Sequence, residues 1–174
     1  MSRVGWHFAD MVKGLGVQQL LAHDPYADAD RASEFGIQLV ELDELCQRSE
    51  VLSIHAPSTP ETHRFIGADQ LGALPDNAVV INTARSWCID EEALLAELRT
   101  GRLLAGLDVF DEEPLPSESP FYKLDNAFIT PHVAGGTMDV RFRQGSAVVD
   151  ELERFASGEK LLNEVSLKTY DQLA

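Results

Sequence analysis

Short aliphatic and β-branched runs alternate with amphipathic stretches along nearly the whole chain. The runs fall at residues 19–23, 37–40, 51–54, 78–82, 103–109 and 128–130. Between them, apolar residues recur at helical spacing. This texture is the signature of βαβ units and a parallel sheet. Helices are predicted over residues 3–15, 27–35, 41–48 and 68–74. Gly14 and Gly16 can end the first. Asp90 caps a further helix ending near Arg99, with Glu91 and Glu92 in its first turn. Thr137 caps a long terminal helix whose apolar positions include Val148, Val149, Leu152 and Phe155. No repeat, low-complexity tract or long linker interrupts the pattern.

Several of the predicted strands end in a polar or Gly/Pro-flanked cluster. These are Asp24-Pro25, His55-Ala56-Pro57, Asn82-Thr83-Ala84-Arg85, Asp108 and Pro131-His132. In an open parallel sheet, ligands bind outside the C-terminal ends of the strands. Five polar clusters at that one edge exceed what loops alone require, so this edge is the candidate functional surface.

Composition narrows the function classes. The 174 residues fit one domain, long enough to bury a core. Asp and Glu number 29 against 14 Lys and Arg, a formal net charge of −15. Phosphate binding draws on Lys and Arg, and no basic stripe is visible, so nucleic acid is not an expected partner. No apolar run approaches the roughly 20 residues that cross a bilayer, so no membrane partner is expected. The first residues lack the uninterrupted apolar core of a signal peptide. Cys46 and Cys88 form no CxxC pair and show no metal-ligand spacing. Inert thiols, a reducing cytoplasmic setting and no metal site are the expectation.

The strings HDPYA, IHAPSTPETH, VVINTARS, AGLDVFDEEPLP and ITPHVAGGT occur in that order. Together they resemble the NAD-binding domain of the D-isomer-specific 2-hydroxyacid dehydrogenases, which include phosphoglycerate dehydrogenases and hydroxypyruvate reductases. The resemblance runs from Ser2 to about Val165. It implies an α/β fold with a Rossmann-like, doubly wound parallel sheet. Residues 1–165 would be a partial NAD-binding domain. Residues 166–174 would be a tail returning toward a substrate domain.

The start departs from the family pattern. The dinucleotide fingerprint of the family reads GxGxxG. Gly5 matches its third glycine, Ser2 stands at the second, and the first would precede Met1. The strand leading into that loop, and the separate substrate domain, are therefore expected to be missing. In the strand order 3-2-1-4-5-6 the missing strand is the central one. The strands at 19–23 and 51–54 should each present an unpaired edge, which invites association or swapping.

The resemblance implies hydride transfer between NAD(H) and C2 of a small 2-hydroxy or 2-keto acid. Arg85 matches the cation that grips the substrate carboxylate, which a guanidinium can do with two parallel hydrogen bonds. His132 matches the general acid/base, because imidazole changes charge near neutral pH. Glu113 matches the carboxylate that tunes it; such a neighbour raises a histidine's pKa and fixes its tautomer. The register from Asp108 selects Glu113 over Glu112. Asp24 matches the acid that binds the adenosine ribose hydroxyls and disfavours a 2′-phosphate, hence NAD over NADP. Arg3 and Val4 match fingerprint residues whose backbone meets the pyrophosphate. Thr83, Ala84, Asp108 and Gly135 match positions on the nicotinamide side, shared with Arg85 and His132, and Pro57 lies in the adjacent loop.

One local departure is Ser86-Trp87-Cys88, where the family has Gly after the arginine and then small or aliphatic residues. Trp87 is placed by the sequence either near the substrate mouth or at an interface. The resemblance also implies a homodimer. Two alternatives stand beside the enzyme reading: an NAD(H)-binding, corepressor-like module without turnover, and a truncated chain inactive alone.

Overall fold

The computed structural model describes residues 2–167. Helix α1 spans Arg3–Lys13 and stops at Gly14, followed by Gly16 at φ 77°. Strands β1 (Leu20–Ala22) and β2 (Ile37–Leu39) flank α2 (Ala29–Glu34). Then follow α3 (Leu42–Arg48), β3 (Val51–Ile54), α4 (Ala68–Ala73), β4 (Val79–Asn82) and α5 (Glu91–Thr100). The chain ends with β5 (Leu104–Leu107), β6 (Ala127–Ile129) and α6 (Met138–Ala156). Most of the expected tail, residues 168–174, lies outside the described residues.

Local chemistry sets the helix ends. The Asp90 carboxylate accepts the Ala93 N–H at 3.0 Å, one of the orphan donors at the start of α5. Gly101 closes that helix at φ 77°, a left-handed conformation that glycine adopts without a Cβ clash. The Thr137 hydroxyl accepts the Val140 N–H at the start of α6.

All strand pairs are parallel, as the alternation predicts. The strands form two sheets rather than one: β1–β2 and β3–β4–β5–β6. The division falls between β1 and β3, where the doubly wound order would place its central strand. Each of these two strands pairs on one side only among the described residues. Val51 on the open edge strand is 55% exposed.

Register decides which side chains form the core. In the four-stranded sheet Leu52, Ile54, Val80, Asn82, Ala105 and Leu107 alternate onto one face. Cys46 of α3, Leu71 of α4 and Leu94 and Leu98 of α5 pack against that face. Fully burying a leucine side chain contributes about 1.5–3 kcal/mol, and this face holds most of the core. A smaller cluster joins Trp6 and Ala9 of α1 to Ala22, Ala32 and Ile37.

The opposite face of the larger sheet is open. Val79, Ile81, Leu104, Gly106 and Phe128 line a depression of about 410 Å³ there. The predicted apolar stripe of α6 is present but uncovered, with Val148, Val149, Leu152 and Phe155 all exposed. Periodicity marks the stripe; among the described residues no element packs over it.

Candidate active site

The C-terminal edge of the larger sheet collects the predicted chemistry. Arg85 follows β4, Glu113 follows β5 and His132 follows β6, so three neighbouring strands each deliver one group to the same edge. Two of the three touch. His132 Nδ1 lies 2.7 Å from Glu113 Oε2. Glu113 Oε1 accepts the Phe110 N–H at 3.0 Å, which fixes the carboxylate's orientation. The hydrogen bond with His132, then that from Phe110, holds the Glu113 carboxyl below the usual carboxylate range. With Nδ1 against a carboxylate, Nε2 is the nitrogen left for a ligand.

Asp108, at the end of β5, organises the same corner. Its side chain is buried, yet it stays acidic. Burial pushes its pKa up, but the Thr130 hydroxyl, the Ala134 and Val133 N–H groups and the nearby His132 together outweigh that. Oδ1 accepts from Thr130 Oγ1 at 2.5 Å and from Val133 N at 2.8 Å, and Oδ2 from Ala134 N at 2.9 Å. These bonds clamp the turn that carries His132, whose φ is 53°. That left-handed conformation is uncommon outside glycine, although His is among the residues that adopt it more often. Such a conformation persists where its surroundings over-determine it.

The Arg85 turn is anchored from behind. Asn82 is completely buried; its amide donates to the Arg85 carbonyl at 2.9 Å and its oxygen accepts the Ala84 N–H at 3.1 Å. The guanidinium of Arg85 is exposed and donates to the Ala84 carbonyl at 2.6 Å. Thr83 and Asp108 sit at the rim of the depression on the open sheet face, beside Thr130. Gly135 is exposed, with open space where a Cβ would stand. Pro57 offers its carbonyl to the Thr62 hydroxyl at 2.6 Å.

Two further features bear on a dinucleotide. At the start of α1 the Ser2 hydroxyl accepts the Gly5 N–H at 3.1 Å, leaving the N–H groups of Arg3 and Val4 at the open helix end. A Cβ on Gly5 would stand 3.4 Å from His55 Cβ, so this helix end abuts the loop after β3. His55 itself is pressed by burial toward its neutral form, stacks on Phe8 and bonds Ser53. Asp24 lines a separate cavity of about 380 Å³ with His23, Pro25, Val40, Glu41 and Glu44. Asp24 Oδ1 also accepts the Tyr26 N–H at 2.8 Å, the turn geometry typical of Asp before Pro. Open backbone donors at the start of α1 and a carboxylate lining the cavity after β1 are therefore both present.

Comparison with known proteins gives this edge a lineage. Residues 1–134 match the model of the D-isomer specific 2-hydroxyacid dehydrogenase NAD binding domain. The chain belongs to this family. It is 34% identical over 172 residues to a D-3-phosphoglycerate dehydrogenase of Archaeoglobus fulgidus, covering 98% of this chain and 32% of that protein. It is 36% identical over 160 residues to a glyoxylate reductase of Korarchaeum cryptofilum, covering 91% and 48%. Among solved structures, the TT0316 protein of Thermus thermophilus superposes with a TM-score of 0.82 at 36% identity, covering 95% of this chain and 51% of that one. The chain thus spans about a third to a half of these relatives. The family's NAD-binding domain takes a nicotinamide cofactor, in agreement with the donor set above.

Sequence reasoning named Arg85, Asp108, Glu113 and His132, but not what holds them. Asn82, Thr130 and the Phe110 N–H are the supporting groups. Asn82 carried a usable signal, a polar residue in register with buried Val80. Thr130 and Phe110 carried none, because their partners are set by the fold.

Proposed function

We propose that this chain is the cofactor-binding half of an oxidoreductase that moves a hydride between NAD(H) and C2 of a small 2-hydroxy or 2-keto acid. The observation that carries the reading is the His132–Glu113 pair at 2.7 Å on the strand-end edge that also bears Arg85. Arg85 holds the substrate carboxylate by charge-assisted hydrogen bonds and so orients the carbonyl. His132 delivers a proton to the carbonyl oxygen from Nε2 during reduction and removes it during oxidation. Glu113 keeps Nδ1 protonated and turns the ring. NAD(H), when bound, supplies or accepts the hydride.

Arg3 and Val4 meet the pyrophosphate, and Asp24 the adenosine ribose. Pro57, Thr83, Ala84, Asp108 and Gly135 border the nicotinamide half. The same reading makes the protein a cytoplasmic homodimer. Two buried free thiols suit a reducing compartment; burial raises both, Cys46 to about 11. The uncovered apolar stripe of α6 and the open sheet face favour association over a lone chain.

The test is NADH oxidation with a panel of 2-keto acids, beside an NADH titration. Turnover lost in His132→Ala with NADH binding retained supports the assignment. Binding without turnover on any acid would favour the module reading instead.

A further inference from the structure

The turn at Ser86–Cys88 has no task in the scheme above, yet it is bonded to its neighbours at several points. We propose that Trp87 is a positioning residue that locks the Arg85 turn to the loop of residues 56–64, so that the carboxylate-binding cation and the cofactor-side loop move as one body. This rests on the reading of Arg85 as the carboxylate-binding group.

Trp87 grips the loop with both its side chain and its backbone. Its indole N–H donates to the Thr59 carbonyl at 2.8 Å. Its ring faces the His63 imidazole, with centroids 4.2 Å apart. Its own carbonyl accepts the Arg64 N–H at 2.8 Å. The adjoining thiol of Cys88 points at the carbonyls of Ala56 and Pro57, at 3.6 and 3.7 Å.

The loop can transmit that grip because it is internally tied. Thr59 and Thr62 cap each other around the turn at Pro60–Thr62, and the Thr62 hydroxyl bonds the Pro57 carbonyl. A constraint at Thr59 is therefore felt at Pro57. On the other side, Asn82 pins the Arg85 backbone to β4. Arg85 is held between a buried anchor behind and Trp87 in front.

Backbone also crosses this gap at its far end, where the Ile66 N–H donates to the Cys88 carbonyl at 3.2 Å and the Asp90 N–H to the Ile66 carbonyl at 2.9 Å. Among side chains, Trp87 is the tighter link, to Thr59 and His63. Arg64 reaches Asp90 and Asp111 at 3.6 Å each, but its side chain is 46% exposed. Exposed ion pairs of that kind contribute little. The Arg64 N–H bond is to backbone and survives any residue at position 87. Only the indole bond and the ring contact depend on the tryptophan side chain.

Steady-state reduction of glyoxylate by NADH, with hydrogen exchange on the same proteins, tests this. The variants are Trp87→Phe, which keeps a ring but loses the N–H donor, and Trp87→Ala, which loses both. Expected in Trp87→Ala is a rise in KM for glyoxylate of about three- to tenfold, the range for losing one hydrogen bond. The kcat should change less than about twofold, because His132 and Glu113 lie on the segments after β5 and β6, away from the loop that Trp87 grips. Trp87→Phe should fall between. Amides of residues 57–66 and 83–90 should exchange faster together, with α5 and β5 unchanged. An unchanged KM in Trp87→Ala, or acceleration confined to one of the two segments, would overturn the proposal. A wild type that binds NADH but turns over no 2-keto acid would sink the activity reading; the coupling is then decided by exchange alone, and unchanged exchange refutes it.

Discussion

His132 Nδ1 and Glu113 Oε2 meet at 2.7 Å, although 19 positions separate the two residues in the chain. Both are held from behind, Glu113 by the Phe110 N–H and His132 through the Asp108 clamp on Val133 and Ala134. A histidine so fixed presents one nitrogen outward in a single tautomer. General acid–base groups contribute about 10²- to 10⁴-fold in rate. His132→Ala should lose that much kcat while NADH still binds. Equal loss of binding, read by titration, would mean that the ring is structural.

Glu113→Gln keeps the side chain's shape and removes its charge. The Phe110 bond can persist through the amide oxygen, so the fold should hold. Turnover should drop at least about tenfold, near 1.4 kcal/mol of transition-state stabilisation. A variant with wild-type rate would remove Glu113 from the mechanism.

Asp108→Asn tests the clamp. The amide brings two donors where three donors already converge. An unsatisfied buried polar group costs about 1–3 kcal/mol, so the urea midpoint should fall accordingly. Nuclear magnetic resonance should show the His132 ring signals broadened or split as its turn loosens. A midpoint equal to wild type would show that the bonds are dispensable.

Acid should destabilise the protein in a defined window. The folded pKa values of Glu113 and Asp108 are both depressed below their ordinary values. A depressed carboxylate contributes stability that is present above its unfolded pKa, near 4. That contribution is lost as pH falls through the folded value. Urea midpoints of wild type and Glu113→Gln should therefore differ at pH 7 and draw together as pH falls below about 4 and through the depressed folded value. A gap that persists undiminished in acid would contradict the linkage.

Cofactor choice should depend on more than Asp24. Glu41 and Glu44 line the same cavity, Glu44 paired to Arg48 and Glu41 exposed at the start of α3. Asp24→Ala should weaken NADH and relax the bias against NADPH. Remaining carboxylate charge should keep NADPH the poorer ligand. Isothermal titration with both cofactors reads this directly; an unchanged preference would sink the ribose assignment.

Element order and the parallel sheet were legible from the residues alone, because hydrophobic period and cap chemistry are local properties. Val79–Asn82 reads as a strand, and Asp90 as the cap of α5, without any tertiary information. The sequence also placed Arg85, Glu113 and His132 at strand ends, since family strings carry registers as well as residues. Which groups actually meet was decided only by the fold. Asp108 became a clamp on the His132 turn because β5 and β6 lie side by side. Trp87 closed on Thr59 because the loops after β3 and β4 share an edge. The stripe on α6 was legible as apolar, yet its exposure was not, for periodicity says that a face wants a partner and only packing supplies one.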